Sequence, residues 1–563
     1  MAERIVSPGV FTRERDLSFL PAGIAAIGAC IVGPTIKGPA FVPTIVSNFS
    51  EFEEMFGSTD QRYYTPYAVE QYLRSAGTVT IVRVLNTGGY SADLVQVNLT
   101  SSAGVRTVAV LAPSRGGSSG TVRLDGVSVA EPNSAYDGCT ITISGSNFGA
   151  KAVTILSAAV EFNTSSANYI SEVFSSDPQV QKSGGSTVAA YLYKNFKYHQ
   201  SSFGYGASGT YADHTASLAS GSYGSADFAS AVYSNASTPY IQSQLINSAR
   251  YNLFKVNTRS HGSDVNNKYK IVILNVRKAG TIAGTDYGDF SLQLRQTGLN
   301  DNNLTRDNIL EQWESLNFDP TSPNYFARRI GDRYVSIDSN GKLTYNGDWP
   351  NKSKHIYVSD FSAIADKSSP VSAVPMGHEA IANPFGSADT TIPSWAFKTS
   401  QLDTQSTFDD KVPYGVDYAN ADAEEYLSPY NSTSTGSNAS MSLEDMSGHA
   451  DASQLGSTYS DASEKVTLTL SHIKQRKFVV PFQGGFDGRN PAAPEFVGSN
   501  IVNTNTQGFD ISNSSAAGYT VYKKAIDAIS NPDEFDINML VTPGVIHGVH
   551  SAITNYAISK CEA

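Results

Sequence analysis

The chain has 563 residues and carries 52 acidic against 40 basic side chains, a net charge of −12. That length exceeds a single hydrophobic core and implies roughly two to four domains, while the acidity argues against nucleic acid or an anionic membrane as a partner. Only 16% of residues are charged, and Ser, Thr, Asn, Gly and Tyr fill the gap, a mixture that suits β-rich, turn-rich surfaces.

The first twenty residues join an Ser7-Pro8-Gly9 turn to a strip of alternating charge, Arg13, Glu14, Arg15 and Asp16, flanked by Val10, Phe11, Leu17 and Phe19. Charge order excludes a signal peptide here, because the apolar segment follows a long mixed-charge stretch. From Pro21 to about residue 95 the pattern is α/β. Gly23–Gly33 reads as a glycine-rich buried strand and 42–49 as a second. Ser50 with Glu53 forms a capping box for a short helix stopped by Gly57. Thr65 and Pro66 start another, with Ala68, Tyr72, Leu73 and Ala76 on its inner face and Gly77 at its end. Val79–Leu85 is a strand.

From about residue 96 short strands with closely spaced turns predict antiparallel β. Strong strands resume in "KIVILNV" and "FSLQLRQ". "NILEQWESL" reads as a helix with Ile309, Trp313 and Leu316 on one face. Residues 401–463 are polar and acidic and read as long exposed connections. Compact texture returns at 465. "KVTLTL" and "KFVVPF" are strands, and a helix presents Tyr522, Ala525, Ile526 and Ile529 before Asn531-Pro532. A buried strand "DINMLVTPGV" precedes a final helix with Val549, Ile553, Tyr556 and Ala557 inward.

The expected fold class is therefore α+β and multidomain. A linking arm (1–20) precedes a discontinuous α/β core domain built from both ends of the chain (21–95 and 465–563). β-rich outer domains are inserted at 96–310, and a second segment with long polar loops occupies 311–464.

No motif for catalysis survives inspection. Gly204–Gly209 has dinucleotide-like spacing without the strand and helix it needs. Gly28–Gly33 has Pro34 where a phosphate-binding loop needs Lys. His378-Glu379 lacks a second ligand because residue 382 is Ala. His547 and His550 lack a third ligand, and Asp338–Gly341 suits a hairpin turn better than a calcium loop. Asp487 reads as a turn former between glycines. Three distant cysteines, Cys30, Cys139 and Cys561, argue against disulfides and zinc. "FARRIGDR" and "HIKQRKF" read as solvated faces. No catalytic, metal or cofactor-binding residue is expected.

Several segments, in order, resemble the contractile tail sheath proteins of myoviruses, T4-like phages above all. They are Ser7–Val10; Gly33-Pro34 with Gly38-Pro39; Val46–Gly57; Tyr67–Leu85; Glu314–Ile330; Val480–Gly488; and Ser530–Gly544. The resemblance implies a structural subunit that stacks in helical rings around a tail tube, engages baseplate and tail terminator proteins, and drives the tube through the host envelope on contraction. It implies assembly in the host cytoplasm, residence in the virion, and neither cofactor nor enzymatic activity. It also implies that the arm, through Val10, Phe11, Arg13, Glu14, Arg15, Asp16, Leu17 and Phe19, adds a strand to a neighbouring subunit's sheet. The family continues past its "LVTPG" strand, whereas this sequence ends at Ala563 inside a helix, which implies a core whose C-terminal part is incomplete here. The competing expectations are a glycan-binding adhesin or glycan-degrading enzyme on the virion surface, and the sheath of a phage-like injection particle.

Overall fold

The computed structural model describes residues 28–75, 77–86, 233–265, 268–296, 308–338, 340–379 and 501–562, and most of 476–488. It also describes separate strands and turns between 94 and 219 and at 399–400, 415–416 and 441–443. The chain is α+β, mostly sheet with few helices, and the strands form several sheets.

One four-stranded sheet is made from both ends of the sequence. Its order is Thr44–Val46, Val79–Arg83, Ala29–Gly33, Met539–Val541. Ala29–Gly33 runs parallel to both Val79–Arg83 and Met539–Val541, and Thr44–Val46 closes the far side antiparallel. Successive side chains on a strand face opposite ways, and both faces of this sheet are covered. Ala29 and Ile31 pack with Phe52, Phe56 and Val69 of the helices Phe49–Phe56 and Thr65–Leu73. Cys30 and Val32 pack with Val521, Tyr522, Ala525 and Ile526 of the helix Ala517–Asp527 and with Ile553 of the helix Ser551–Glu562. Burial on both sides is why these strands read as continuous apolar runs rather than alternating ones. Met539–Val541 is half-buried, as suits an edge strand, rather than buried throughout.

The helix ends differ in detail from the sequence expectation. The cap of Phe49–Phe56 is Asn48, whose Oδ1 accepts from Glu51 N at 2.8 Å, while Glu51 Oε2 accepts from Ser47 N at 2.8 Å. The reciprocal box therefore sits two residues earlier than Ser50 and Glu53. Gly57 does end that helix, at φ 91°. Thr65 is the first helical residue after Tyr64, not the cap; Thr65, Pro66 and Val69 are the buried residues of its helix, while Ala68, Tyr72 and Leu73 are half-buried. Ala76 lies outside the described residues, and the helix stops at Leu73, before Gly77. In the final helix Ile553 is buried and Tyr556 and Ala557 pack beside it, but Val549 lies in the turn before that helix and is exposed.

A second core lies between two sheets in the middle of the chain. One is the antiparallel set Ile309–Asn317, Asp289–Gln296, Tyr269–Arg277, Phe478–Pro481. The other centres on Asn252–His261, which pairs with Asn235–Ser237, Ile241–Ser243 and Ile356–Ser359. Phe254, Phe290, Phe318 and Phe326 meet between them with ring centroids 4.9 to 6.0 Å apart. Ile309–Asn317 is thus a strand, not the helix its spacing suggested. The register pairs Leu292 with Trp313 and Phe290 with Leu316, so three residues span where two face them. The extra residue is a bulge, with Ser315 at φ 54°, and it converts a two-residue period into helix-like spacing. This strand crosses the boundary expected at residue 310. Phe478–Pro481, grouped by sequence with the core segment, instead pairs with Lys270–Ile273.

Between 94 and 219 the described strands form antiparallel sheets, as the turn spacing predicted. The hairpin Tyr334–Ile337 with Leu343–Asn346 turns at Asp338, whose Oδ1 accepts from Asn340 N and Lys342 N, both at 2.8 Å. "KVTLTL", Gly204–Gly209 and most of 401–463 lie outside the described residues.

Candidate functional site

The residues singled out as a linking arm, Val10, Phe11, Arg13, Glu14, Arg15, Asp16, Leu17 and Phe19, lie outside the described residues. What the structure does describe is a surface such an arm could use. The four-stranded sheet ends on Thr44–Val46 and Met539–Val541, and neither has a strand on its outer side among the described residues. Such an edge presents backbone N–H and C=O groups to a further strand.

Among the described residues, Met539–Val541 is held from one side only. Its register places Ala29, Cys30 and Ile31 opposite Met539, Leu540 and Val541, and Gly28 O accepts from Asn538 N and Met539 N at 2.9 and 3.2 Å. Gly28 is required by close approach, since a Cβ there would sit 2.0 Å from Asp536 O. Met539 and Val541 pack against the layer on one face and Leu540 against the other. An added strand would therefore extend two apolar layers at once. Three exposed carboxylates, Asp533, Glu534 and Asp536, precede the strand. After it, Gly544 (φ 81°) is clasped as Thr506 Oγ1 donates to its carbonyl at 2.6 Å, and Gln507 Oε1 accepts from Tyr64 N at 2.8 Å.

A junction ties this sheet to the middle of the chain. Arg83 ends the strand Val79–Arg83 and is 1% exposed. Its guanidinium donates to Thr35 O (3.1 Å), Ile36 O (3.1 Å), Gly38 O (2.8 Å) and His261 O (2.6 Å). Asp487 Oδ1 lies 3.8 Å from Nη2. The segment between the two Gly-Pro steps is thus wrapped around one buried cation. Burial lowers the Arg83 pKa, and Asp487 is the strongest opposing influence. His261 Nδ1 accepts from Ala40 N at 3.1 Å, Ser260 Oγ accepts from Gly38 N at 2.7 Å, and His261 N donates to Gly38 O at 3.0 Å. Although His261 is only half-buried by area, its ring nitrogen is taken up in that bond, and burial and then Arg83 push its pKa down to about 3. It stays neutral. Gly262 must be glycine, at φ 105° with Asp487 Oδ1 2.2 Å from where a Cβ would be.

Sequence reasoning missed this junction. Arg83 read as one more strand residue, and Asp487 as a turn former. The available signal was a lone Arg inside the apolar run "VTIVRVL", since a cation there must be fully hydrogen-bonded or it would not be tolerated. The basic segments were also misread. Arg476 is fully buried, with Nη1 donating to Val276 O at 2.7 Å, and Lys477 is buried beside it. Arg328 stacks over Trp349 at 4.5 Å.

Of the other residues considered for chemistry, His378 is a buried strand residue whose Nδ1 lies 2.8 Å from Glu379 O and whose Nε2 has no partner among the described residues. His550 Nδ1 accepts from Ile546 N at 3.1 Å, which closes the turn before the last helix, and His547 meets Thr554 Oγ1 at 2.8 Å. Cys30 and Cys139 are buried and Cys561 is exposed; all three are free thiols. Among the described residues no three His, Cys, Asp or Glu side chains are grouped to hold a metal ion, and no helix is long and apolar enough to cross a membrane.

No protein-family model matches the chain, and no curated protein matches it.

Proposed function

We propose that this chain is a structural subunit of a contractile phage tail sheath. In this reading, 28–86 and 501–562 form the core domain that carries the lattice, and the β-rich material between them, including Phe478–Pro481, faces outward. Copies stack in helical rings around a tail tube, and residues 1–20 of one copy add a strand to the core sheet of the next. The observation that carries the reading is the four-stranded sheet shared by both chain ends, with a single-sided parallel strand at its edge. A β-augmenting arm needs such an edge. Val10, Phe11, Leu17 and Phe19 would extend the two apolar layers beside Met539–Val541, and Arg13 and Arg15 would meet Asp533, Glu534 and Asp536. The Arg83 junction supports the same reading, because a sheath subunit has to move as a rigid body while its neighbours' contacts change.

The test is negative-stain electron microscopy of the purified protein beside a variant lacking residues 1–20. The full chain should form tubes or stacked rings, and the shortened one only monomers or short oligomers. Tubes formed equally well without residues 1–20 would remove the arm from the mechanism, and a full chain that never polymerises with a tail tube present would remove the sheath.

A further inference from the structure

A groove of about 710 Å³ lies beside the junction, between the loop 39–44, the strand Asn252–His261, the hairpin 334–346 and the helix Ala517–Asp527. Its walls combine tyrosines with cations. Tyr334 and Tyr357 stack at 5.5 Å with their rings 20° apart. Tyr345 is 65% exposed and Tyr334 45%, so both rings remain accessible in the groove wall. Arg259, Arg333 and Lys524 line the same groove, which has no Asp or Glu in its lining.

Among the described residues none of these three cations has an ion-pair partner. Lys524 is half-buried, with Nζ 5.2 Å from the centre of the Phe41 ring and 5.8 Å from that of Tyr233. It has one long bond, 3.5 Å, to Ile337 O. Arg259 Nη1 donates to Ser353 O at 2.9 Å and otherwise meets only the more distant Lys354 O. Three acids act on these side chains from outside the lining. Glu534 holds the Tyr345 hydroxyl at 3.3 Å on the rim, Asp338 acts on Lys524 from a distance, and Glu311 likewise on Arg259. Arg259 and Lys524, partly desolvated and without an ion-pair partner among the described residues, and the exposed Arg333 in the same lining call for an anion from outside in a chain of net charge −12. Exposed tyrosine faces call for a flat, partly apolar body to cover them.

We propose that this groove binds an anionic saccharide, a sugar ring carrying a carboxylate or phosphate. The ring would cover Tyr334 and Tyr345, and the anionic group would be shared by Arg333, Arg259 and Lys524. This site is independent of the sheath reading, since it uses neither the arm nor the sheet edge.

Isothermal titration of the full-length protein with trigalacturonate, glucose 6-phosphate, neutral maltotriose and a hexaglutamate peptide tests it. At least one anionic sugar should bind saturably and more weakly as salt is raised, and which one binds identifies the anionic group. Arg333→Ala and Tyr345→Ala, both at exposed positions, should each weaken binding about tenfold, the loss of one charge-assisted or stacking contact, with the unfolding temperature unchanged. The proposal is overturned if neither anionic sugar binds, if maltotriose or hexaglutamate binds equally well, or if both variants bind like the parent.

Discussion

Arg83→Met removes the cation at the centre of the junction while keeping much of its volume. The guanidinium serves four carbonyls, those of Thr35, Ile36, Gly38 and His261. A buried carbonyl left without its donor costs about 1 kcal/mol or more; Gly38 O keeps a second donor in His261 N, so the other three together cost about 3 kcal/mol. Relief of the guanidinium's own desolvation offsets part of that, and leaving Asp487 without its neighbour at 3.8 Å adds to it. In a cooperative unit of about 150–250 residues each kcal/mol shifts the melting temperature by roughly 2–4 °C, so a fall of about 6–12 °C is expected by differential scanning calorimetry. Hydrogen exchange should localise the damage, with lost protection at Phe41 N and Val84 N, which donate to Arg83 O and Gly33 O. Arg83→Lys should recover only part, because an ammonium has three donors and lacks the planar fork. A fall under about 3 °C for Arg83→Met, or full recovery with Lys, would refute the claim that this residue holds the loop and the two sheets together.

Gly28→Ala forces a methyl to within 2.0 Å of Asp536 O and should release Met539–Val541, seen as faster exchange of the Met539 amide; unchanged exchange would show that the strand is held otherwise. Tyr522→Phe should stabilise by about 1 kcal/mol in urea unfolding, since the buried hydroxyl has no partner among the described residues, and a loss of stability would reveal a bond. Ser315→Gly should be neutral or stabilise by up to about 1 kcal/mol, because its φ of 54° strains any residue with a Cβ; destabilisation would count against the bulge. Burial pushes His378 down to about 4, so the unfolded chain takes up its proton first. Its contribution is complete above the ordinary value of about 6.5 and is lost as pH falls toward 4. By pH 5 the loss is about 2 kcal/mol, measurable as a lower urea midpoint than at pH 7 that His378→Met abolishes. Equal pH dependence in the variant would shift the effect to other groups.

Much of the secondary structure was legible locally. The apolar runs at 29–33 and 79–83, the caps near 48 and 57, the Asp338 turn and the helix carrying Tyr522 and Ile526 all follow from spacing and turn chemistry within a few residues. The failures share one cause. Ile309–Asn317 imitated a helix because a bulge, set by pairing with a strand about twenty residues away, changed its period. "HIKQRKF" looked solvated because nothing local reveals that Arg476 meets Val276 O, two hundred positions earlier.

The sequence by itself determined an acidic, β-rich chain with compact α/β texture at its two ends. It also determined which glycines and prolines must punctuate it, since those properties depend on side-chain chemistry and short-range backbone sterics. Only the tertiary structure decided that Met539–Val541 completes the sheet begun at Ala29, that Arg83 gathers four carbonyls from two segments, and that Arg259, Arg333 and Lys524 line one groove with tyrosines. Those arrangements depend on contacts between residues hundreds of positions apart, and local periodicity carries no record of which distant partner a strand edge or a buried charge will find.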